Sequence, residues 1–476
     1  MTFVQIAAGS GWWLVVVIPA FLLVLTLIVF IHELGHFLMG RVFGVKIDSF
    51  SIGFGRAIAG FHDSHGTHWK IGWLPLGGYV KFWGDAGVSS NPDHEVVDRA
   101  SPEERAQSFH HKPLYQKALI AVAGPVANFI LAIAIFTVTG MALGEWVTTP
   151  QIGGAKPGTP AEAAGFKSGD MVLSIDGSAI HEFLDISQAV MLSGDRQMTF
   201  LVARDGKEVT IKVTPAQLER KDDFGNSTRD SMIGVYPVIP SEIGDVAPNS
   251  PAALAGIRPG DWFVKAGDKP AATFETLAAA LRAANGKSIT VMFGRQDAKA
   301  PISAIFTPEV VTAAGSSDAM VTAQTGLVPK YPGSPKTESL VQFGPVEAGS
   351  RAVSRVWFFV AKTFDVLGRL LTGTGDVRQL SGPIGIAQVS GQIIDQLGPG
   401  ALIWLVAVLS VSIGLLNLFP IPMLDGGHLL YYGIEAVRGR PLGERAQELG
   451  FQIGLVLVVG LMLIATWNDI MKFRLF

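Results

Sequence analysis

Four stretches of this sequence stay apolar long enough to cross a hydrocarbon core, which takes about 20 residues of helix. The first, residues 12–31, carries no charge. The others lie between Lys117 and Glu145, between Asp395 and Asp425, and between Glu448 and Asp469. The first reads as a retained span rather than a secretory signal, because no Lys or Arg precedes Arg41 and no small-residue cleavage site follows the apolar run.

Between the second and third spans the pattern changes to short strands and turns, and it repeats. Residues 159–170 (TPAEAAGFKSGD) and 250–261 (SPAALAGIRPGD) align without a gap at an offset of 91 residues. Each copy runs on into a short apolar strand, a turn and a helix-like run. One module is therefore used twice. A stretch rich in Ser, Thr, Gly and Pro follows from 309 to 345 and reads as a linker with room for one strand. Beyond it Val353, Val356, Trp357, Val360, Phe364, Leu367 and Leu371 recur at helical spacing. That pattern predicts an amphipathic helix lying on a surface or against the repeated modules.

Composition agrees with a membrane protein: 49% of residues are apolar and only 16% charged, where a soluble domain carries about 25% charged residues. The formal net charge of −3 offers no electrostatic case for nucleic acid. With no cysteine, a disulfide scaffold, a thiolate zinc site and a Cys nucleophile are all excluded, so any metal must be held by His and carboxylate. Basic residues set an expected orientation. Arg41, Lys46, Arg56, Lys70, Lys81, Arg99, Arg105, Lys112 and Lys117 follow the first span, and Arg438, Arg440 and Arg445 lie between the third and fourth. Both termini are then expected outside, and parity puts the repeated modules outside as well.

The chemistry is concentrated at two places. His32-Glu33-Leu34-Gly35-His36, read as the end of the first span, puts two imidazoles on one helical face, where both can reach one zinc ion, with Glu33 able to act on a metal-bound water. A catalytic zinc takes three protein ligands and keeps a fourth position open, so a third His, Asp or Glu must come from elsewhere. The run Asn417-Leu418-Phe419-Pro420-Ile421-Pro422-Met423-Leu424-Asp425-Gly426-Gly427 closes the third span. Its two prolines are expected to end the helix and force an extended segment that delivers Asp425 near membrane depth. By parity the ends of spans one and three share a side of the membrane, so Asp425 can meet His32 and His36. Residues 69–84 (WKIGWLPLGGYVKFWG) read as two strand-like runs around Gly77 and Gly78, forming a hairpin that either pairs with an extended substrate or serves only as an interfacial anchor. Asn417, Pro420 and Pro422 are candidate substrate contacts beside the Pro-rich segment. His62, His65 and His68 do not share a face if their surroundings are strands, and are read as solvated loop residues. His428 lies close to Asp425 in sequence without an assigned role.

With H-E-x-x-H and N-x-x-P-x-x-x-L-D-G both intact, the chain resembles the site-2 protease family of intramembrane zinc metalloproteases. Gly124-Pro125-Val126-Ala127-Asn128 on span two, Ser381-Gly382-Pro383-Ile384-Gly385 before span three, and a tandem module resembling bacterial PDZ domains make it most similar to the regulator-of-sigma-E branch. The resemblance covers nearly the whole chain. It implies Zn2+ held by His32, His36 and Asp425, with Glu33 as general acid/base. It also implies a multi-pass protein of the bacterial inner membrane, with its site near the cytoplasmic side. Its substrates would be single-span membrane proteins: anti-sigma factors already trimmed outside, and signal-peptide remnants. The fold class expected is a polytopic α-helical membrane protein of four transmembrane helices with an inserted pair of PDZ-like β-rich domains. Its divisions are a membrane half over 1–144, modules over 145–220 and 221–309, a linker and surface helix over 310–380, and a second membrane half over 381–476. A membrane-anchored PDZ adaptor or a metal transporter is the competing reading, against which Glu33 counts, since neither needs a carboxylate beside the first His.

Overall fold

The computed structural model describes residues 16–87, 99–221, 227–238, 241–271, 273–298, 300–308, 321, 325–330, 338–372 and 380–472. They divide into two compact units, one built from the chain up to residue 142 and from 343 onward, the other from the chain between. In chain order the helices of the first unit are α1 (Ile18–Val42), α2 (Leu114–Ala142), α3 (Pro345–Leu371), α4 (Pro383–Leu397), α5 (Leu402–Asn417), α6 (Asp425–Arg438) and α7 (Glu444–Lys472).

Four candidate membrane spans are present among the described residues: α1, α2, α5 with the short turn before it, and α7. The start of the expected first span lies outside the described residues. That span's far end differs from the sequence reading, because nothing between Ile31 and Val42 breaks a helix and α1 continues to Val42, where Phe43 and a left-handed Gly44 (φ 64°) stop it. The H-E-x-x-H residues therefore sit in the interior of α1, from nearly three turns (His32) to under two turns (His36) before its end.

After α1 come two long strands, β1 (Ile47–His62) and β2 (His68–Phe82). They replace the expected hairpin: the two runs around Gly77 and Gly78 belong to the single strand β2 and pair with β1 rather than with each other. Phe50 pairs with Val80 on one side and with Trp69 on the other, so the first half of β1 is flanked by both ends of β2. Phe50 is buried with Phe37, Val45, Ile47, Val80 and Phe82, whereas Phe54, Ile58, Phe61, Ile71 and Trp73 remain exposed. His62 and His68 are not solvated singly: they face each other across the strands with rings stacked 4.5 Å apart.

The helix expected on a surface or against the modules has its buried face elsewhere. Ala352 and Val356 of α3 pack with Ile135 and Phe136 of α2 and with Val406 and Val411 of α5. Hydropathy alone could not select that partner, since both spans offer apolar surface along their whole length. At the start of α4, Gly382 and Gly385 donate their backbone N–H groups to the Asp469 carboxylate of α7 (2.9 and 2.8 Å). A Cβ at Gly385 would meet that carboxylate at 2.7 Å, which gives the S-G-P-I-G run its physical reason.

The second unit opens with β3 (Glu145–Thr148) and closes with β4 (Glu338–Val341), and these two pair antiparallel. Between them the repeat is visible in every element. One four-stranded sheet takes Ser178–Ala179, Met171–Ile175, Met198–Arg204 and Lys207–Val213 in that order, and the other takes Lys269–Pro270, Trp262–Ala266, Ile289–Gly294 and Ile302–Phe306. Each has its own core, around Phe200 and Ile186 in the first and Phe293 and Leu277 in the second. The copies extend past the sequence divisions at 220 and 309. Val235–Pro237 pairs with Ile152–Ala155 of the first copy, and Leu327–Pro329 pairs with Ile243–Val246 of the second. The linker expected over 310–345 thus contains strands that finish the second module and the unit, and its remainder lies outside the described residues.

Candidate metal centre

His32 and His36 lie one turn apart on α1, so their rings leave the helix on one face. Asp425 is the first residue of α6. His32 Nε2 stands 3.1 Å from Asp425 Oδ2, His36 Nε2 stands 3.5 Å from Asp425 Oδ1, and the two Nε2 atoms are 3.2 Å apart. The three side chains are 9, 12 and 19% exposed. Their donor atoms all lie within 4.8 Å of one another, which makes the three a group that could hold a metal ion.

The chemistry of this donor set fits a cation. His36 Nδ1 lies 2.8 Å from the Ile120 carbonyl, which can only accept, so Nδ1 carries the proton. A neutral His36 then turns a bare Nε2 lone pair toward a carboxylate and a second imidazole. With His32 in the same form, three acceptors face one another away from water, an arrangement that a divalent ion stabilises. Zinc accepts His and carboxylate ligands in this number.

Glu33 follows His32 directly on α1, in the same turn as the two imidazoles. Strand β2 runs close by here: a Cβ on Gly78 would lie 3.4 Å from Glu33 Cγ and 2.8 Å from the Ser51 carbonyl. Gly77, with φ 86°, gives the chain the bend that brings Gly78 there, and a Cβ on it would overlap the Phe54 ring.

The segment leading to Asp425 is not extended, as its prolines suggested. Ile421 N–H donates to the Phe419 carbonyl (2.7 Å) and Leu424 N–H to that of Ile421 (3.0 Å), so tight turns follow the end of α5. Met423 adopts φ 101°, strained for a residue with a side chain. The reason lies downstream. Gly426 and Gly427 pack directly under the carbonyls of Leu418, Phe419 and Ile421, which only a chain folded back on itself can reach. Asn417 is the last residue of α5, and Pro420 and Pro422 sit within these turns. His428 is in the first turn of α6, its ring 6.4 Å from that of Tyr432.

Two contributions were not readable as site residues. Gly124 of α2 approaches α1 so closely that a Cβ would overlap His36 Nε2 and stand 2.9 Å from His32 Nε2. On α7, Gly450 and Gly454 lie against Tyr431 and Pro422, and a Cβ at Gly454 would overlap the Pro422 carbonyl. The small-x-x-x-small spacing in an apolar span was the available signal for that contact.

A sequence profile of Peptidase family M50 matches residues 20–461. The chain is 36% identical to an Agrobacterium fabrum protein named as a zinc metalloprotease, over 98% of both chains. It is 33% identical to the metalloprotease MmpA of Caulobacter vibrioides over 97% of each. It is also 33% identical to the regulator of sigma E protease of Salmonella typhi, over 95% of this chain and 98% of that one. The chain belongs to peptidase family M50. As a member of M50, the family of site-2 proteases, it is a zinc metalloprotease, and the adaptor and transporter readings fall away. Its apolar helices fit the membrane setting of this family.

Proposed function

We propose that this protease cuts single-span membrane proteins inside the bilayer, with zinc held by His32, His36 and Asp425. The observation that carries the reading is the meeting of three donor atoms within 4.8 Å, two of them from a helix apolar enough to span a membrane. When bound, zinc supplies Lewis acidity toward the scissile carbonyl and toward water. Glu33 takes the proton of the attacking water and returns it to the leaving amide nitrogen. A helical substrate must unwind before its carbonyl is reachable, and its freed backbone groups then need partners where water is scarce. The β2 strand at Gly78, adjacent to Glu33, supports β-pairing as the means, with Gly77 shaping the bend. Asn417, Pro420 and Pro422 are proposed to line the same path.

The repeated modules are proposed to be PDZ-like domains, and the substrates to be anti-sigma factors after an outside cut and signal-peptide remnants, in line with relatives named for sigma E. The distribution of basic residues supports a bacterial inner-membrane protein whose termini and modules face the periplasm, with the site near the cytoplasmic side.

Purified chain in detergent is expected to contain one zinc and to cut a single-span test substrate until a chelator is added. His32→Ala, His36→Ala and Asp425→Ala should lose the metal, while Glu33→Gln keeps it and loses turnover. A Glu33→Gln protein that still cleaves would remove Glu33 from the chemistry.

A further inference from the structure

We propose that Asn128 is a positioning residue for the metal centre: its carboxamide oxygen accepts the Nδ1 proton of His32 and so fixes the ring with Nε2 free to bind metal. The inference rests on the metal-site reading above. Asn128 lies on α2, fully buried, with its amide 3.3 Å from His32 Nδ1. His32 Nε2 points the other way, into the cluster with His36 and Asp425. A lone pair at Nε2 puts the ring proton on Nδ1, where it needs an acceptor. The Asn128 side-chain oxygen is buried with no hydrogen-bond partner among the described residues. A half-turn of the carboxamide exchanges its two ends and gives the side-chain oxygen and the Nδ1 proton each a partner.

The two ring nitrogens facing away from the cluster are thereby served by one helix. His36 Nδ1 meets the Ile120 carbonyl, His32 Nδ1 meets Asn128, and Gly124 midway lets α2 come close enough for both. Such outer partners hold a ligand imidazole in one tautomer and one orientation. Helix packing explains the Cβ of Asn128, which lies against Gly414 of α5, but not its carboxamide. The hydrogen bond of Asn128 to α5 is made by its main-chain carbonyl, which accepts from Ser410 Oγ (2.9 Å) and which any residue would offer. A buried amide in an apolar span is costly, which is reason to look for a role in function.

The experiment measures zinc affinity of the full chain in detergent by chelator competition, with helical content checked by circular dichroism. Asn128→Leu should bind zinc 10- to 100-fold more weakly, about the loss such outer partners produce. Asn128→Asp, which keeps an acceptor, should bind at least as tightly as the native chain, and Ser410→Ala should be unchanged. If Asn128→Leu does not fold, Asn128→Ala replaces it with the same expectation. Native affinity in the folded Leu or Ala variant would overturn the proposal, as would an Asp variant as weak as the apolar ones. A native chain without zinc, or a His32→Ala variant that keeps it, would instead overturn the metal-site reading and this proposal with it.

Discussion

Gly124 of the second span lies against the imidazole of His36 so closely that no side chain fits between them. The H-E-x-x-H helix and α2 therefore meet at a glycine on each, since a Cβ on Gly35 would in turn overlap the Ala123 carbonyl. Gly124→Ala is expected to push the two helices apart at the donor atoms. A displacement near 1 Å can lower turnover about a hundredfold, and the zinc content of the purified variant, set against its helical circular dichroism, separates local loss from unfolding.

A second close approach, on α7, bears on the turns before Asp425. Gly454→Leu should displace Pro422 and lower turnover by about a hundredfold. Gly460→Leu, where a Cβ would meet nothing within 4 Å, should leave it unchanged. Equal cleavage rates for the two variants would dissociate α7 from the geometry of the site.

What the sequence made legible was chemistry with a local period. His32 and His36 are four apart on a helix, and Asp425 stands in a run whose prolines announce the end of another. Gly124 and Asn128 could be noticed only through resemblance, because their roles depend on which helix lies against which. The Pro420–Leu424 turns were misjudged for a related reason. Proline restricts its own φ and the residue before it, but the fold-back is set by the carbonyls that Gly426 and Gly427 admit. The repeat was plain at offset 91, yet its ends were not. The strands at 235–237 and 327–329 are three residues long and carry too little pattern to announce themselves.

The repeat also hid a matched ion pair. Arg204 holds Asp170 in the first module through Nε and Nη2 (2.6 and 2.7 Å), and Arg295 holds Asp261 in the second in the same way (2.7 and 2.8 Å). Both pairs keep the offset of 91. Each guanidinium also donates to a backbone carbonyl, that of Gly165 or Gly256. The bonds to the carboxylate raise the pKa of each arginine above its usual range, so both stay charged at any working pH. Since the aspartates are buried, Arg204→Ala or Arg295→Ala leaves an uncompensated carboxylate and should cost on the order of 3 kcal/mol in its own module. Limited proteolysis of the full chain should show earlier cutting confined to that module, with bound zinc unchanged.

Orientation can be read directly because the chain has no cysteine. A Cys introduced at Ser227 is expected to react with an impermeant thiol reagent in intact cells made permeable only at the outer membrane, and a Cys at Arg440 to react only after lysis. Protection at 227 would reverse the orientation argued from basic residues.

The stem formed by β3 and β4 has a consequence for how such a chain can change. Phe343 N–H meets the Gly140 carbonyl (3.3 Å), and four cross-strand pairs follow from Glu145 with Val341 to Thr148 with Glu338. Everything between those strands enters and leaves through ends already zipped together. The entropy of closing that excursion grows only with the logarithm of its length, about 0.6 kcal/mol per doubling. Duplication of one module into two would thus have come at small cost to the folding of the helices that bear His32, His36 and Asp425.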